Sequence, residues 1–363
     1  VNNRRQFQRG YPGKQPFNLK GNHVMKTVIL RQLGGPDQLQ VEDVAIPEPG
    51  PGQVRVRLHA SALNRRDVWI TLGQYPGIRL PCTAGSDGAG VVDKIGPNVP
   101  DDLLQQDWLG QEVVIYPAYD WGSDPRFPGP TFRVLGMPDP GTFTEYLCVP
   151  AGHLFPKPAH LNWEQAAAIP LAGLTSWRAL MTQGAAQPGE TVLVTGIGGG
   201  VATFALKWAV ALGAKVFVTS GDDRKLEQAQ QLGAAGGVNY RADDWDKQLA
   251  KLTGGVDVVV DGTGGPAFKG CFSVLKPGGR LVVYGATAGN PAGLDLVRLF
   301  FRQVRIVGST MGSPDEFAAM LRFVADHRIE PIVDRIFPLA QAVAAHQRLL
   351  AAEQMGKIVL LNH

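Results

Sequence analysis

Four glycines fall within five positions, Gly196, Gly198, Gly199 and Gly200, and Val201 follows them. Glycines packed this closely suit a turn that folds tightly and lets its backbone approach a phosphate with no Cβ in the way. A helix starting there would add free N–H groups and the positive end of its dipole to the attraction for an anion. About 20 residues past such a turn, a dinucleotide site for NAD places an acid against the ribose 2′-hydroxyl. This chain has Val218-Thr219-Ser220-Gly221 there, with Ser220 in the acid's place, and Asp222, Asp223, Arg224 and Lys225 follow. A 2′-phosphate wants donors and cations, and a carboxylate at position 220 would repel it at a cost of roughly several kcal/mol. The pattern points to NADPH rather than NADH, with Arg224 assigned to the phosphate as a planar, always-charged donor. The alternative is that Asp222 or Asp223 turns back to the ribose and the Arg–Lys pair is the first turn of a solvated helix.

Such a turn needs a strand before it and a helix after it. Thr191 to Thr195 is a short β-branched apolar run, as a buried parallel strand requires. Val201, Phe204, Ala205, Trp208 and Leu212 then recur at helical steps, and Lys215 to Thr219 is a second strand. The alternation continues: helices over 223–232, 243–252, 266–275 and 295–301, and strands over 237–239, 257–261, 280–284 and 305–308. Six strands alternating with helices predict a Rossmann domain, a doubly wound parallel sheet.

The chain before it has another rhythm. Strands are expected over 25–30, 39–44, 54–60, 111–116 and 143–149, and Val54 to Ala60 alternates as a half-buried antiparallel strand does. His59 reads as a surface or hydrogen-bonded residue. Asn64 and Asp67 suit the start of a short helix. Residues 117–141, rich in Pro, Gly, Trp and Phe, carry no periodicity and are expected to form a long loop. Trp121, Phe127 and Phe132 in it are expected at a lid or a subunit contact. Helices follow over 164–169 and 175–183, and the tail after Pro314 reads as two amphipathic helices and a strand, Lys357 to Leu361. The organisation expected is a leader (1–24), a mainly antiparallel domain (25–172), the Rossmann domain (173–310) and a segment returning to the first domain (311–363).

Composition is that of an ordinary water-soluble chain. The formal charge of +3 arises in residues 1–24, where Arg4, Arg5, Arg9, Lys14 and Lys20 stand with no acid. Without those five cations the body is at about −2, which is no nucleic-acid footprint. Residues 1–24 read as an added or upstream extension, poorly ordered, ahead of a start near Met25. No run is long and apolar enough for a membrane span. Cys82, Cys148 and Cys271 have neither metal-ligand spacing nor a disulfide framework, which fits a reducing, cytoplasmic setting.

From Met25 onward the chain resembles the medium-chain dehydrogenase/reductase superfamily. The resemblance rests on G-S-D-G-A-G-V-V at 85–92, A-A-A-I-P-L-A-G-L-T at 166–175, the glycine turn, L-K-P-G-G-R-L-V-V-Y-G at 275–285 and G-K-I-V-L at 356–360. It implies an α/β fold with a GroES-like, mainly antiparallel first domain. Zinc-dependent members have a cysteine where this chain has Asn64, G-H-E where it has Gly85-Ser86-Asp87, and another cysteine where it has Leu171. A catalytic zinc needs three protein ligands, and Asn, Ser and Leu do not provide them. Residues 117–141, the place of the structural zinc lobe, have no cysteine. No metal is expected at either place, and Asp87 and Glu145 do not rescue a site.

Without a Lewis acid, the chemistry left to the nicotinamide is hydride delivery to an already electrophilic carbon. The resemblance is therefore to the zinc-independent quinone oxidoreductase-like branch, with a quinone or an α,β-unsaturated carbonyl as substrate. Alternatives are an enoyl-thioester reductase or a non-catalytic NADPH-binding protein. By position in that branch, Ser220, Lys225 and Tyr240 hold the 2′-phosphate, and Thr175, Tyr284, Gly285 and Lys357 line the cofactor. Two catalytic candidates follow. Asn64 stands where a zinc ligand stood, as a donor to substrate or cofactor, or else as a helix cap. Tyr75 matches the catalytic tyrosine of enoyl-thioester reductases, or else forms an aromatic wall of the cleft. Phe301 and Met311 are weighed as shaping the cleft against core packing. Ala202 stands where the branch's motif has glycine, and Gly198 adds freedom that the sequence does not explain. The last Rossmann strand, over 305–308, is an open edge that relatives pair across a dimer, so a homodimer is expected.

Overall fold

A computed structural model describes residues 24–100 and 107–362. The expectation for the leader lies outside the described residues, except at Val24, which already belongs to the first strand.

That strand, β1 (Val24–Leu30), pairs antiparallel with β2 (Leu39–Ala45). In β3 (Gln53–Ala62), Val54, Val56 and Leu58 are fully buried, while Arg55 and Arg57 alternate to the other face. The sequence alternates, so one face of the strand makes core. The domain continues with β4 (Asp87–Ile95), β5 (Glu112–Ile115), β6 (Ala118–Tyr119), β7 (Arg133–Val134), β8 (Tyr146–Pro150) and β9 (Leu154–Pro156). The expected long loop is therefore not structureless: β6 and β7 pair within it. Trp121 anchors it, with the ring of Phe132 edge-on and the Arg178 guanidinium 4.9 Å over its own ring. Pairings this far apart in sequence leave no periodicity to read.

The Rossmann sheet comprises β10 (Thr191–Val194), β11 (Lys215–Ser220), β12 (Gly236–Asn239), β13 (Val256–Asp261), β14 (Leu275–Val283) and β15 (Arg305–Gly308). Its order is β12-β11-β10-β13-β14-β15, with every pairing parallel. All four residues of β10 are buried, as helices on both faces of a parallel sheet demand. The helix expected over 175–183 starts earlier: Pro170–Trp177 is α-helical and runs into a wider-wound turn, Arg178–Gln183. Pro170 fits that start, since a first-turn position has no intrahelical partner for the missing N–H.

The tail returns to the first domain. Its helices are Pro314–Asp326 and Ala342–Leu350, as the periodicity implies. Between them lies a strand that the sequence did not betray, β16 (Val333–Pro338), with only Phe337 buried. It is an edge strand with little core to make, so its apolar pattern is weak. It pairs parallel with β17 (Lys357–Leu361), and β17 pairs antiparallel with β3, placing Val359 opposite Ala62. The first-domain sheet thus runs β16-β17-β3-β4-β5-β9, with β8 also on β3. Among the described residues no helix is long and apolar enough to cross a membrane.

His346 locks the tail helix down. It is fully buried, edge-on to Phe143, and donates from Nδ1 to the Ala342 carbonyl at 2.7 Å. Burial pushes its pKa down to about 4. A histidine held neutral in the fold stabilises it fully above the unfolded value, near 6.5, and that contribution is lost as pH falls toward 4. His346→Leu should therefore flatten the acid limb of stability, recovering about 2 kcal/mol of the loss between pH 7.5 and pH 5. Denaturant melts of both proteins at the two pH values measure this; equal losses in the two would refute it.

Candidate active site

The C-terminal ends of β10, β11, β13 and β14 open into one cleft of about 980 Å³ between the two domains. The crevice at the strand ends, where the strand order reverses, is where doubly wound sheets take their ligands. The first domain and the tail form the cleft's other wall, from Leu63 to Trp69 and from Arg348 to Ile358.

The glycine turn forms the floor. Gly196 and Gly198 have φ of 62° and 125°, in the region that side chains rarely adopt. The helix Gly200–Leu212 begins at Gly199 without a side-chain cap, so its first N–H groups face the cleft free of a protein side chain. The structure also explains Gly198. A Cβ there would lie 2.9 Å from Cδ of Lys225, and its carbonyl accepts from the Gly356 N–H at 3.0 Å. At Gly200 a Cβ would lie 2.8 Å from Cδ of Lys357. These glycines admit two lysine stems as well as a phosphate. Ala202 is buried in the core without a close ligand-side role.

At the outer end, Ser220 closes β11 with its hydroxyl accepting from the Asp222 N–H at 3.0 Å. Asp222 meets the start of the next helix. Its carboxylate caps the next helix at the Arg224 N–H, 3.0 Å, and pairs with the Arg224 guanidinium at 2.9 Å. That pair holds Asp222 below the usual carboxylate range. Arg224 itself reaches out into solvent. Lys225 donates to the Ala352 carbonyl at 2.9 Å. The Tyr240 hydroxyl and Arg241 Nε both crowd the space beside Gly221, within 2.8 and 2.9 Å of where a Cβ would be. Ser220, Arg224, Lys225 and Tyr240 all line the cleft, and so does Arg241. Sequence reasoning missed Arg241, although it directly follows Tyr240.

The middle of the cleft holds Thr175, Val201, Tyr284, Gly285 and Met311. Tyr284 packs close to Gly262, where a Cβ would meet its ring. Phe301 is not in the cleft: it is 76% exposed on the far side, on a helix with no buried residue.

At the inner end lies a nearly buried polar cluster. Asn64 precedes the helix Arg65–Thr71, and its backbone N–H donates to Asp67 at 2.7 Å. Its side chain also bonds across the cluster: Nδ2 donates to Asp87 Oδ2 at 2.9 Å, and Oδ1 accepts from Lys357 Nζ at 2.7 Å. Lys357 also pairs with Asp87 at 2.8 Å, and the Leu171 N–H donates to the other Asp87 oxygen at 2.7 Å. Asp87 is fully buried; burial raises its pKa, opposed by the Lys357 ammonium and the Asn64 amide. Ser86 donates to the Leu135 carbonyl and accepts from Arg66 at 2.6 Å.

Tyr75 is not among the residues that line the cleft. Its half-buried ring packs in the first-domain core with the Arg66 guanidinium 4.7 Å over it. Arg66 itself lines the cleft. His59 stacks on Trp163 instead of facing the cleft.

The donor set does not fit zinc. Asn64, Ser86 and Leu171 offer an amide, a hydroxyl already bonded at both ends and an alkyl chain, and the carboxylate that remains, Asp87, holds an ammonium. Among the described residues no group of three or more His, Cys, Asp or Glu side chains converges.

Comparison with known proteins matches residues 50–159 to the alcohol dehydrogenase GroES-like domain family and residues 200–326 to the zinc-binding dehydrogenase family. The zinc-type alcohol dehydrogenase-like protein YogA of Leptosphaeria maculans is 38% identical over 339 residues, covering 89% of this chain and 94% of its own. A quinone oxidoreductase of Pseudomonas aeruginosa is 31% identical over 352 residues, covering 93% and 100%. The crystal structure of an NAD-dependent alcohol dehydrogenase superposes with a TM-score of 0.87 at 41% identity, covering 93% of this chain and 99% of that one. Of these three, the quinone oxidoreductase has the lowest identity, so the comparisons reach the wider family and not the branch expected from sequence.

Gly198→Ala tests the cradle. Ala at a positive φ costs on the order of 1 kcal/mol, and its methyl would push the Lys225 stem aside. Losing about 1 kcal/mol of phosphate contact as the turn shifts should lower dinucleotide affinity about fivefold in a fluorescence titration. Unchanged affinity would mean that the turn does not carry the phosphates.

Proposed function

Because the chain belongs to the medium-chain dehydrogenase/reductase superfamily of oxidoreductases, we propose that it is an NADPH-dependent reductase of quinones or α,β-unsaturated carbonyls, acting without zinc. The observation that carries this reading is the inner cluster: at the place of a catalytic zinc, an ammonium pairs with Asp87 and an amide bridges the two. A fixed monovalent cation polarises an oxygen less than a metal does, and it does not turn an ordinary alcohol into an alkoxide. It suits a substrate whose carbon is already electrophilic and whose oxygen collects the charge.

The residues present fit a nicotinamide dinucleotide. The turn Gly196, Gly198, Gly199 and Gly200 would hold the pyrophosphate, with Thr175, Tyr284 and Gly285 further along the cleft. Ser220, Lys225, Tyr240 and Arg241 would take the 2′-phosphate, and Asp222 is engaged elsewhere. When bound, the reduced cofactor supplies a hydride. The enoyl-thioester reading has less support. Of two arginines that such a substrate could use at the cleft mouth, Arg348 is paired with Asp334 and Glu353, while Arg65 spends one N–H on the Leu349 carbonyl.

We also propose a homodimer closing on β15. The neighbouring helix Leu296–Phe301 exposes Leu296 at 63% and Phe301 at 76%, an apolar patch continuous with the sheet edge. Light scattering should give a dimer for the full chain and a monomer for Phe301→Asp; a wild-type monomer would refute it.

Loss of NADPH absorbance over a panel of quinones and enones tests the activity. Cofactor binding without turnover on any of them would favour a pure binder, and near-stoichiometric zinc in the purified protein would overturn the metal-free reading. Ser220→Asp should shift the NADPH/NADH ratio of kcat/KM at least about tenfold toward NADH, from the repulsion placed beside the 2′-phosphate. An unchanged ratio would remove Ser220 from the phosphate site.

A further inference from the structure

The inner cluster has two donors to spare. An ammonium carries three N–H bonds and a primary amide two. Lys357 uses one on Asn64 Oδ1 and one on Asp87 Oδ2, and Asn64 uses one on Asp87. Both side chains line the cleft while being nearly buried, Lys357 at 3% exposure and Asn64 at 7%. The Lys357 stem crosses the first turn of the helix Gly200–Leu212, and its tip ends beyond the glycine turn, at Asn64. The pair therefore stands past the phosphate cradle, at the substrate end.

Resting on the reductase reading above, we propose that Lys357 Nζ and Asn64 Nδ2 form an oxyanion site that receives the substrate's carbonyl oxygen. For an enone, hydride addition forms a C–H bond at the β-carbon and breaks the C=C π bond, with the dihydronicotinamide as reductant. An electron pair moves onto the carbonyl oxygen, and water later supplies the proton that completes the product. Lys357 acts as a fixed charge and not as the proton donor. Giving up its proton would leave Asp87, fully buried, without the cation that pairs with it among the described residues. Asp87 is a positioning residue: it holds both donors, and the Leu171 N–H holds Asp87. Donors fixed in advance in a water-poor site stabilise developing charge without reorganising.

The test uses 4-nitrophenol, whose phenolate is coloured and resembles a conjugated enolate. It is added to the full chain with NADP⁺ bound, at a pH where the free phenol is half ionised. The wild type should bind the probe as phenolate, raising its absorbance. Lys357→Met should abolish that rise, and Asn64→Ala should weaken it. Because Lys357→Met leaves a buried carboxylate unpaired, the charge-balanced pair Lys357→Met/Asp87→Asn is made as well, and it should also lose the rise. Both Lys357 proteins should bind NADPH within about threefold of wild type, while kcat for an enone or quinone falls about 10²–10³-fold, as for the loss of an oxyanion donor. Two results would overturn the proposal: a wild type that does not ionise the probe, or a Lys357→Met protein that loses NADPH affinity but still ionises it, which would assign the ammonium to the pyrophosphate. Phenolate capture with no turnover on any quinone or enone would refute the reductase reading and leave the oxyanion site standing.

Discussion

A buried carboxylate has to be answered by a cation or by several hydrogen bonds, and in this protein Asp87 is answered by both. Much of the cleft's geometry follows from that requirement. Lys357 must reach inward from β17, so β17 must lie against β3, and the tail must come back to the first domain. The Lys357 stem then crosses the helix at Gly200, where a Cβ would collide with it. The Leu171 N–H, just inside the helix Pro170–Trp177, binds the second oxygen. One carboxylate thus ties the first domain, the cleft helix and the tail around the space where the domains meet.

The glycine turn meets a different constraint with the same economy of space. A phosphate has to approach a helix N-terminus, and two lysine stems have to pass beside it. Gly198 leaves room for Lys225 and Gly200 for Lys357. Lys225 ends beside Gly198 on the Ala352 carbonyl, and Lys357 ends on Asn64 and Asp87. At the outer end the Asp222 carboxylate is occupied by the Arg224 N–H and guanidinium.

Much of the architecture is legible in the sequence because it is local. The strand run Thr191 to Thr195, the glycines and the helical spacing from Val201 to Leu212 each carry their own signal, and β10 with the helix Gly200–Leu212 follows them. Elements whose stability comes from distant partners were harder to read. β16 buries little of its own surface and exists through its pairing with β17. The short β6–β7 pair inside the loop is held by Trp121 beneath Arg178. The helix over 170–177 begins at a proline, which looks like a break until its neighbours show that a first-turn position needs no N–H.

For the site, the sequence by itself determined which chemical groups are available: closely spaced glycines, a serine at the end of the second Rossmann strand, and an amide, a hydroxyl and an alkyl chain at Asn64, Ser86 and Leu171. These depend on side-chain type and short spacing, which the order of residues states directly. Only the tertiary structure decided what those groups do. Asn64 could cap its helix or face the cleft; it stands at the N-cap, and Lys357, 293 residues further on, meets its amide oxygen in the cleft. Tyr75 stood at a suggestive position, and packing against Arg66 placed its ring outside the cleft. Asp87 drew attention only as a poor metal ligand until the fold brought an ammonium to it across 270 residues. The physical reason is common to all three: a buried polar group takes its role from its hydrogen-bond partners, and long-range partners are chosen by packing.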